Sequence, residues 1–140
     1  RSMAKERGLV VEEIKSSEQV DFREWLHIRA WAADEKVSVG GSFFGLAQHP
    51  RIVRLNSQPV EIVPEGILFM MSNKDRPGIV GHLGSVLGNH SVNIANMSLG
   101  RDREGGQALT ALNIDSVPSA ECLAELEADP NISNIRIVQF

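Results

Sequence analysis

One cysteine, Cys122, is all that 140 residues contain, which excludes an intrachain disulfide and fits a reducing compartment. No apolar run approaches the roughly 18 residues that a membrane-spanning helix needs, and no charged-then-apolar leader precedes a cleavage site. A basic surplus is missing too: 14 Lys and Arg stand against 18 Asp and Glu, a net charge of −4. That balance argues against a nucleic-acid partner, whose phosphates reward clustered cations. Aromatic residues are few, and Phe69 stands alone between Gly66 and Gln139, so a sheet that stacks RNA bases is a poor fit. A Gly-x-Gly-x-x-Gly turn after a strand is absent, which leaves a dinucleotide without its usual cradle. His27, His49, His82 and His90 show no metal-ligand spacing, and no nucleophile is paired with a base at a readable distance. The expectation is a cytoplasmic chain with no metal site, no catalytic residue, no nucleic acid and no membrane.

What is present is a 42% apolar chain, enough to bury a real core in one ordinary domain or two small ones. The first half reads mostly as strand. Residues 4–7 and Gly8 resemble the last turn of a helix with its glycine stop, and residues 9–14 read as a short strand. Residues 20–31 alternate, with Val20, Phe22, Leu26, Ile28 and Ala30 on one face, as a long half-buried strand does. Asp34, Glu35 and Lys36 turn it into residues 37–44 as a hairpin. In that second strand Gly40 and Gly41 read as a bulge or bend. Residues 51–55 and 60–63 pair around Asn56-Ser57-Gln58, and Pro64-Glu65-Gly66 then marks a boundary.

The second half reads β-α-β-β-α-β. A strand covers residues 67–71, and a helix follows Pro77 with Ile79, Leu83, Val86 and Leu87 on one face. Gly81, Gly84 and Gly88 share another face, where three glycines forfeit about 2 to 3 kcal/mol of helix propensity unless something packs closely. Strands over 93–99 and 108–114 flank the loop at 101–106. Pro118 opens a second helix with Ala120, Leu123 and Leu126 inward, and a strand over 132–138 closes the chain. Elements in this order fold as a split βαβ, with two helices on a four-stranded antiparallel sheet. The free sheet face or edge is then expected to be covered by another domain or a second copy.

The junction Asn73-Lys74-Asp75-Arg76-Pro77-Gly78 is the best candidate site. A helix N-terminus carries unpartnered N–H groups and partial positive charge, which suits a carboxylate. Pro77 presets φ for a helix start. Asp75 either caps that start or turns its carboxylate toward a ligand amine. Gly78 lets a ligand approach the backbone, and Asn93 offers the donor and acceptors that an amino acid's two charged groups need. Asp-Arg-Pro-Gly by itself also reads as an ordinary turn.

Taken together these residues resemble the ACT domain, a ferredoxin-like module that binds amino acids. Ala4-Lys5-Glu6-Arg7-Gly8, Pro50-Arg51-Ile52-Val53-Arg54-Leu55-Asn56, Val63-Pro64-Glu65-Gly66 and residues 75–94 are similar to the C-terminal region of the long-form D-3-phosphoglycerate dehydrogenase family, across nearly the whole chain. The resemblance implies an α+β fold with a small, mostly-β and incomplete intervening domain over 1–65, then a βαββαβ ACT domain over 66–140. It implies a parent enzyme of serine synthesis whose NAD sits on catalytic domains outside this chain. L-serine or a similar amino acid is the implied effector, and ACT domains the implied subunit junction. Serine contacts of the family fall on Asn73, Asp75 and Asn93, with Arg76, Pro77 and Gly78 shaping the turn and a second ACT domain completing the site. Asn73 stands where some members have a larger His or Tyr. Arg51 falls on a basic anion contact of the intervening domain, while Val63 and Asn113 replace other basic contacts. The competing expectations are an oligomerisation module with a vestigial site and the ACT region of another amino-acid-metabolising enzyme.

Overall fold

From Leu26 onward, alternating side chains and a supply of β-branched and aromatic residues favour extended backbone. The computed structural model describes residues 6–8, 10–15, 24–32, 35–46 and 49–140. Its first sheet has four antiparallel strands in sequential order: β1 Leu26–Ala32, β2 Glu35–Phe44, β3 His49–Leu55 and β4 Gln58–Ile62. The hairpin of β1 and β2 pairs Leu26 with Gly41 and Ala32 with Glu35, so Glu35 and Lys36 are strand rather than turn. Residues 20–23 of the expected long strand and the hairpin tip at Asp34 lie outside the described residues. Of the short strand expected over 9–14, residue 9 lies outside the described residues and residues 10–14 have no regular structure, with Val10 91% exposed.

Two local devices shape this sheet. The register between β2 and β3 slips at Gly40 and Gly41, the expected bulge, and any side chain at Gly40 would strike the Trp25 indole. At the β3–β4 turn Asn56 adopts φ +52°, which asparagine tolerates. There its backbone N–H donates to Ser38 O at 2.8 Å and its Oδ1 accepts from Ser38 N–H at 2.9 Å.

The second sheet runs β6-β7-β5-β8, all antiparallel. Its elements are β5 Ile67–Lys74, α1 Ile79–Asn89, β6 Ile94–Arg101, β7 Gln107–Ile114, α2 Ala120–Glu127 and β8 Ile132–Gln139, the expected split βαβ. Both helices cover one face: Ile79, Leu83, Val86 and Leu87 of α1 meet Phe69, Met71 and Leu112, joined by Cys122 and Leu126 of α2. Ala120, expected inward, is exposed: α2 is capped by Ser119 Oγ on Cys122 N–H, and its buried stripe begins two residues after Ala120, at Cys122, and continues at Leu126. The glycine face of α1 also differs from expectation. A Cβ built on Gly81, Gly84 or Gly88 meets nothing within 4 Å, so no packing within the described residues explains these glycines.

The other face is covered by the first sheet. Val60 and Ile62 of β4 pack on Leu68 and Ala111, with Ile52, Leu55, Met70 and Leu109 around them. Contact is close enough that a side chain on Gly100 of β6 would collide with the Pro59 carbonyl. Glu61 N–H donates to Ser98 Oγ at 2.8 Å. Between the sheets, Asn113 Nδ2 donates to Val63 O at 2.9 Å and Glu65 O at 3.1 Å, pinning the linker to β7. Beyond this contact the first sheet leaves Leu26, Ile28 and Phe43 more than half exposed along an open groove of about 380 Å³, so β1 is less buried than expected. No helix among the described residues is long and apolar enough to cross a membrane.

Candidate functional site

Where β5 ends at Lys74, the chain passes through Asp75, Arg76, Pro77 and Gly78 into α1. Gly78 is the cap residue, at φ +94°, a conformation that a side chain would strain. It has no side chain to offer, and the first turn of α1 contains no acidic residue. The first intrahelical bond runs from His82 N–H to Gly78 O at 2.8 Å. The N–H groups of Ile79, Val80 and Gly81 therefore have no acceptor inside the helix.

Asp75 does not cap this helix. Its Oδ2 accepts from Arg101 Nη1 at 3.0 Å and from Gly105 N–H at 3.2 Å. Its own N–H donates to Gly106 O at 2.9 Å. The carboxylate thus fastens the helix entry to the β6–β7 loop, at the end of the sheet where Lys74 pairs with Gln107 and Arg101 with Ala108. Among the described residues both protein contacts to this carboxylate use Oδ2, which leaves Oδ1 for a third partner.

Asn73 points into the helix-covered core. It is 1% exposed, and its Oδ1 accepts from the hydroxyl of Thr110, itself 0% exposed, at 2.8 Å. Its Nδ2 donates to Lys74 O at 3.1 Å, so both ends of the amide are occupied. Arg76, Pro77 and Gly78 are exposed around the turn. Arg76 adds a weak positive influence on Asp129, whose carboxyl is held below its usual range chiefly by the backbone N–H and then the side-chain amide of Asn131.

Asn93 is elsewhere. It precedes Ile94, which pairs with Ile114, whereas Asp75 follows Lys74, which pairs with Gln107. From Gln107 to Ile114 is seven residue steps, about 23 Å of strand. One chain therefore gathers Asn73, Asp75, Arg76, Pro77 and Gly78 and leaves Asn93 at the opposite end of the sheet. There its Nδ2 donates to Asp115 Oδ2 at 2.8 Å.

Arg51 lines the open groove of the first sheet beside Pro50, Ile52 and Pro64. Its Nη1 donates to Pro50 O at 2.9 Å and its Nε lies 3.9 Å from Glu61 Oε1. Asn113, which stands at another expected contact position, is committed to the linker carbonyls. The glycine pair Gly40–Gly41 sits inside β2.

Sequence reading overlooked Arg101, Gly105 and Thr110. Arg101 and Gly105 were read as parts of a polar loop, and only the register that ends β6 beside β7 brings them to Asp75. Thr110 sat in an apolar strand, where its parity with Leu112 was the available signal for an inward hydroxyl.

Residues 67–131 match the ACT domain model. Over 138 residues the chain is 30% identical to D-3-phosphoglycerate dehydrogenase of Methanocaldococcus jannaschii, covering 99% of this chain and 26% of that protein. It is 28% identical over 141 residues to the D-3-phosphoglycerate dehydrogenase of Bacillus subtilis, again 99% of this chain and 26% of the relative. With the Synechocystis protein of the same name identity is 33% over 123 residues, 88% of this chain and 22% of that one. The chain thus spans about a quarter of the length of these relatives. Residues 67–131, with the split βαβ sheet and its two helices, belong to the ACT domain family, in a chain that is similar almost end to end to a regulatory portion of D-3-phosphoglycerate dehydrogenases.

Proposed function

We propose that this chain is the sensor portion of a phosphoglycerate dehydrogenase of serine synthesis, which binds L-serine or a similar small amino acid at the ACT domain and joins subunits there. NAD and the chemistry belong, on this reading, to catalytic domains outside the chain. Residues 1–65 belong to an intervening domain in which Arg51 is the candidate anion contact.

The observation that supports this most is the split between Asp75 and Asn93. β6 is an edge strand, and edge strands invite pairing with another chain. Two copies of β6 paired antiparallel about a twofold between Met97 and Ser98 set Ile94 of one copy opposite Arg101 of the other. Asn93 of the second copy then arrives beside Asp75 of the first, and two equivalent sites form at once. In each, Asp75 Oδ1 takes the ligand ammonium, while the free N–H groups at the α1 N-terminus favour its carboxylate.

A second reading, oligomerisation with a vestigial site, draws support from Asn73, whose amide is already spent on Thr110 and Lys74. Thermal melting with L-serine and D-serine, beside light scattering, separates the two. Binding by the native chain alone stabilises it by RT ln(1 + [L]/Kd), about 2.7 kcal/mol at a hundredfold excess over Kd. The expected result is a higher Tm with L-serine and none with D-serine. A dimer whose melting ignores every amino acid at millimolar concentration would leave only the second reading.

A further inference from the structure

We infer that Arg101 is the specificity-determining residue of the amino-acid site, the group that makes it select a zwitterion over a simple amine. This rests on the amino-acid reading proposed above and adds a residue to it.

Arg101 and Asp75 form an ion pair whose two members lie side by side at 3.0 Å, with side-chain exposures of 55% for the arginine and 19% for the aspartate. Its geometry leaves each member half used. The guanidinium has five N–H donors and gives Asp75 a hydrogen bond through Nη1. The carboxylate accepts both its protein bonds at Oδ2, one of them from the backbone of Gly105. Gly105 N–H helps to hold the aspartate in place, and Oδ1 takes no hydrogen bond from the described residues.

An α-amino acid is itself a side-by-side pair of opposite charges. Its ammonium nitrogen and carboxylate carbon are about 2.5 Å apart by standard backbone dimensions. Laid antiparallel on the Arg101–Asp75 pair, it puts the ammonium on Oδ1 and one carboxylate oxygen on the unused guanidinium N–H groups, while the other oxygen stays free for the α1 N-terminus. No existing bond need break. A ligand with only an ammonium gains Asp75 but leaves the arginine side of the pair unmatched, and a ligand with only a carboxylate faces Oδ1 across a like charge. Arg101 sits at the last residue of β6, the strand whose pairing supplies Asn93 of a second copy. Selection by charge pattern and assembly of the site thus depend on the same strand end.

Calorimetric titration of the 140-residue chain with L-serine, ethanolamine and glycerate tests this, alongside R101Q and R101K. The native chain should bind L-serine at least a hundredfold more tightly than either partial analogue. In R101Q the Kd for L-serine should rise tenfold or more while that for ethanolamine changes less than threefold, so discrimination collapses; R101K should recover part of it. If R101Q bound L-serine as the native chain does, the inference would fail and the amino-acid reading would stand. Parallel loss of both ligands in R101Q, with a lowered Tm, would make Arg101 a brace for the loop and also overturn it. A native chain that binds no amino acid removes the parent reading and this one together.

Discussion

Thr110→Val offers the sharpest test of what Asn73 is for. Valine keeps the shape of threonine and removes only the hydroxyl that donates to Asn73 Oδ1 at 2.8 Å. Both side chains are essentially sealed from solvent, at 0% and 1% exposure. The loss is therefore more than a hydrogen bond worth about 1 kcal/mol: a buried acceptor is left without a partner, at about 1–3 kcal/mol. For a chain of this size each kcal/mol lowers Tm by roughly 2–4 °C. Urea unfolding of the native protein, T110V, N73L and the double variant completes the cycle. When both partners are replaced by apolar groups the orphaned acceptor disappears. The double variant should then recover much of the loss, with a coupling energy of about 0.5–3 kcal/mol. The same samples titrated with L-serine show whether Asn73 also serves a ligand. A cost below about 0.5 kcal/mol for T110V would refute the reasoning, since Asn73 Oδ1 would have to find water or another donor and could reach an incoming molecule as easily.

Two further outcomes follow from the packing and the charges. Ile62→Ala empties a position that is 1% exposed between the two sheets, so it should cost about 2–5 kcal/mol by urea denaturation; under 1 kcal/mol would mean that the sheets do not rest on one another. The Asp129 carboxyl is depressed by its hydrogen bonds from Asn131, so its contribution is present above the ordinary carboxylate value and is lost as pH falls below about 4. Melting curves of D129N and the native chain should accordingly lie apart at pH 6 and converge toward pH 3, and a gap that widens in acid would contradict that sign.

Much of the ACT layer is legible in the sequence. Ile79, Leu83, Val86 and Leu87 face the core because a 3.6-residue period fixes which side chains share a helix face. Period says nothing of what lies outside the helix, which is why Gly81, Gly84 and Gly88 seemed to require a close neighbour and have none within 4 Å. Pro77 and Gly78 marked the helix start correctly to within two residues. Asp75, one of the commonest cap types, was drawn away by Arg101 and Gly105, partners 26 and 30 residues along the chain. Local propensity cannot see such partners. The same limit explains Asn93: its side chain suits an amino-acid ligand, but only strand register reveals that it lies at the opposite end of its own sheet from Asp75.

The Asn113 amide has a mechanical consequence. By holding Val63 O and Glu65 O at once, it removes slack from the only covalent crossing between the sheets. A tug on the first sheet is delivered to β7, an inner strand of the second, instead of being absorbed by a loose hinge. Any signal that starts as ligand capture at one rim has a taut cord along which to leave.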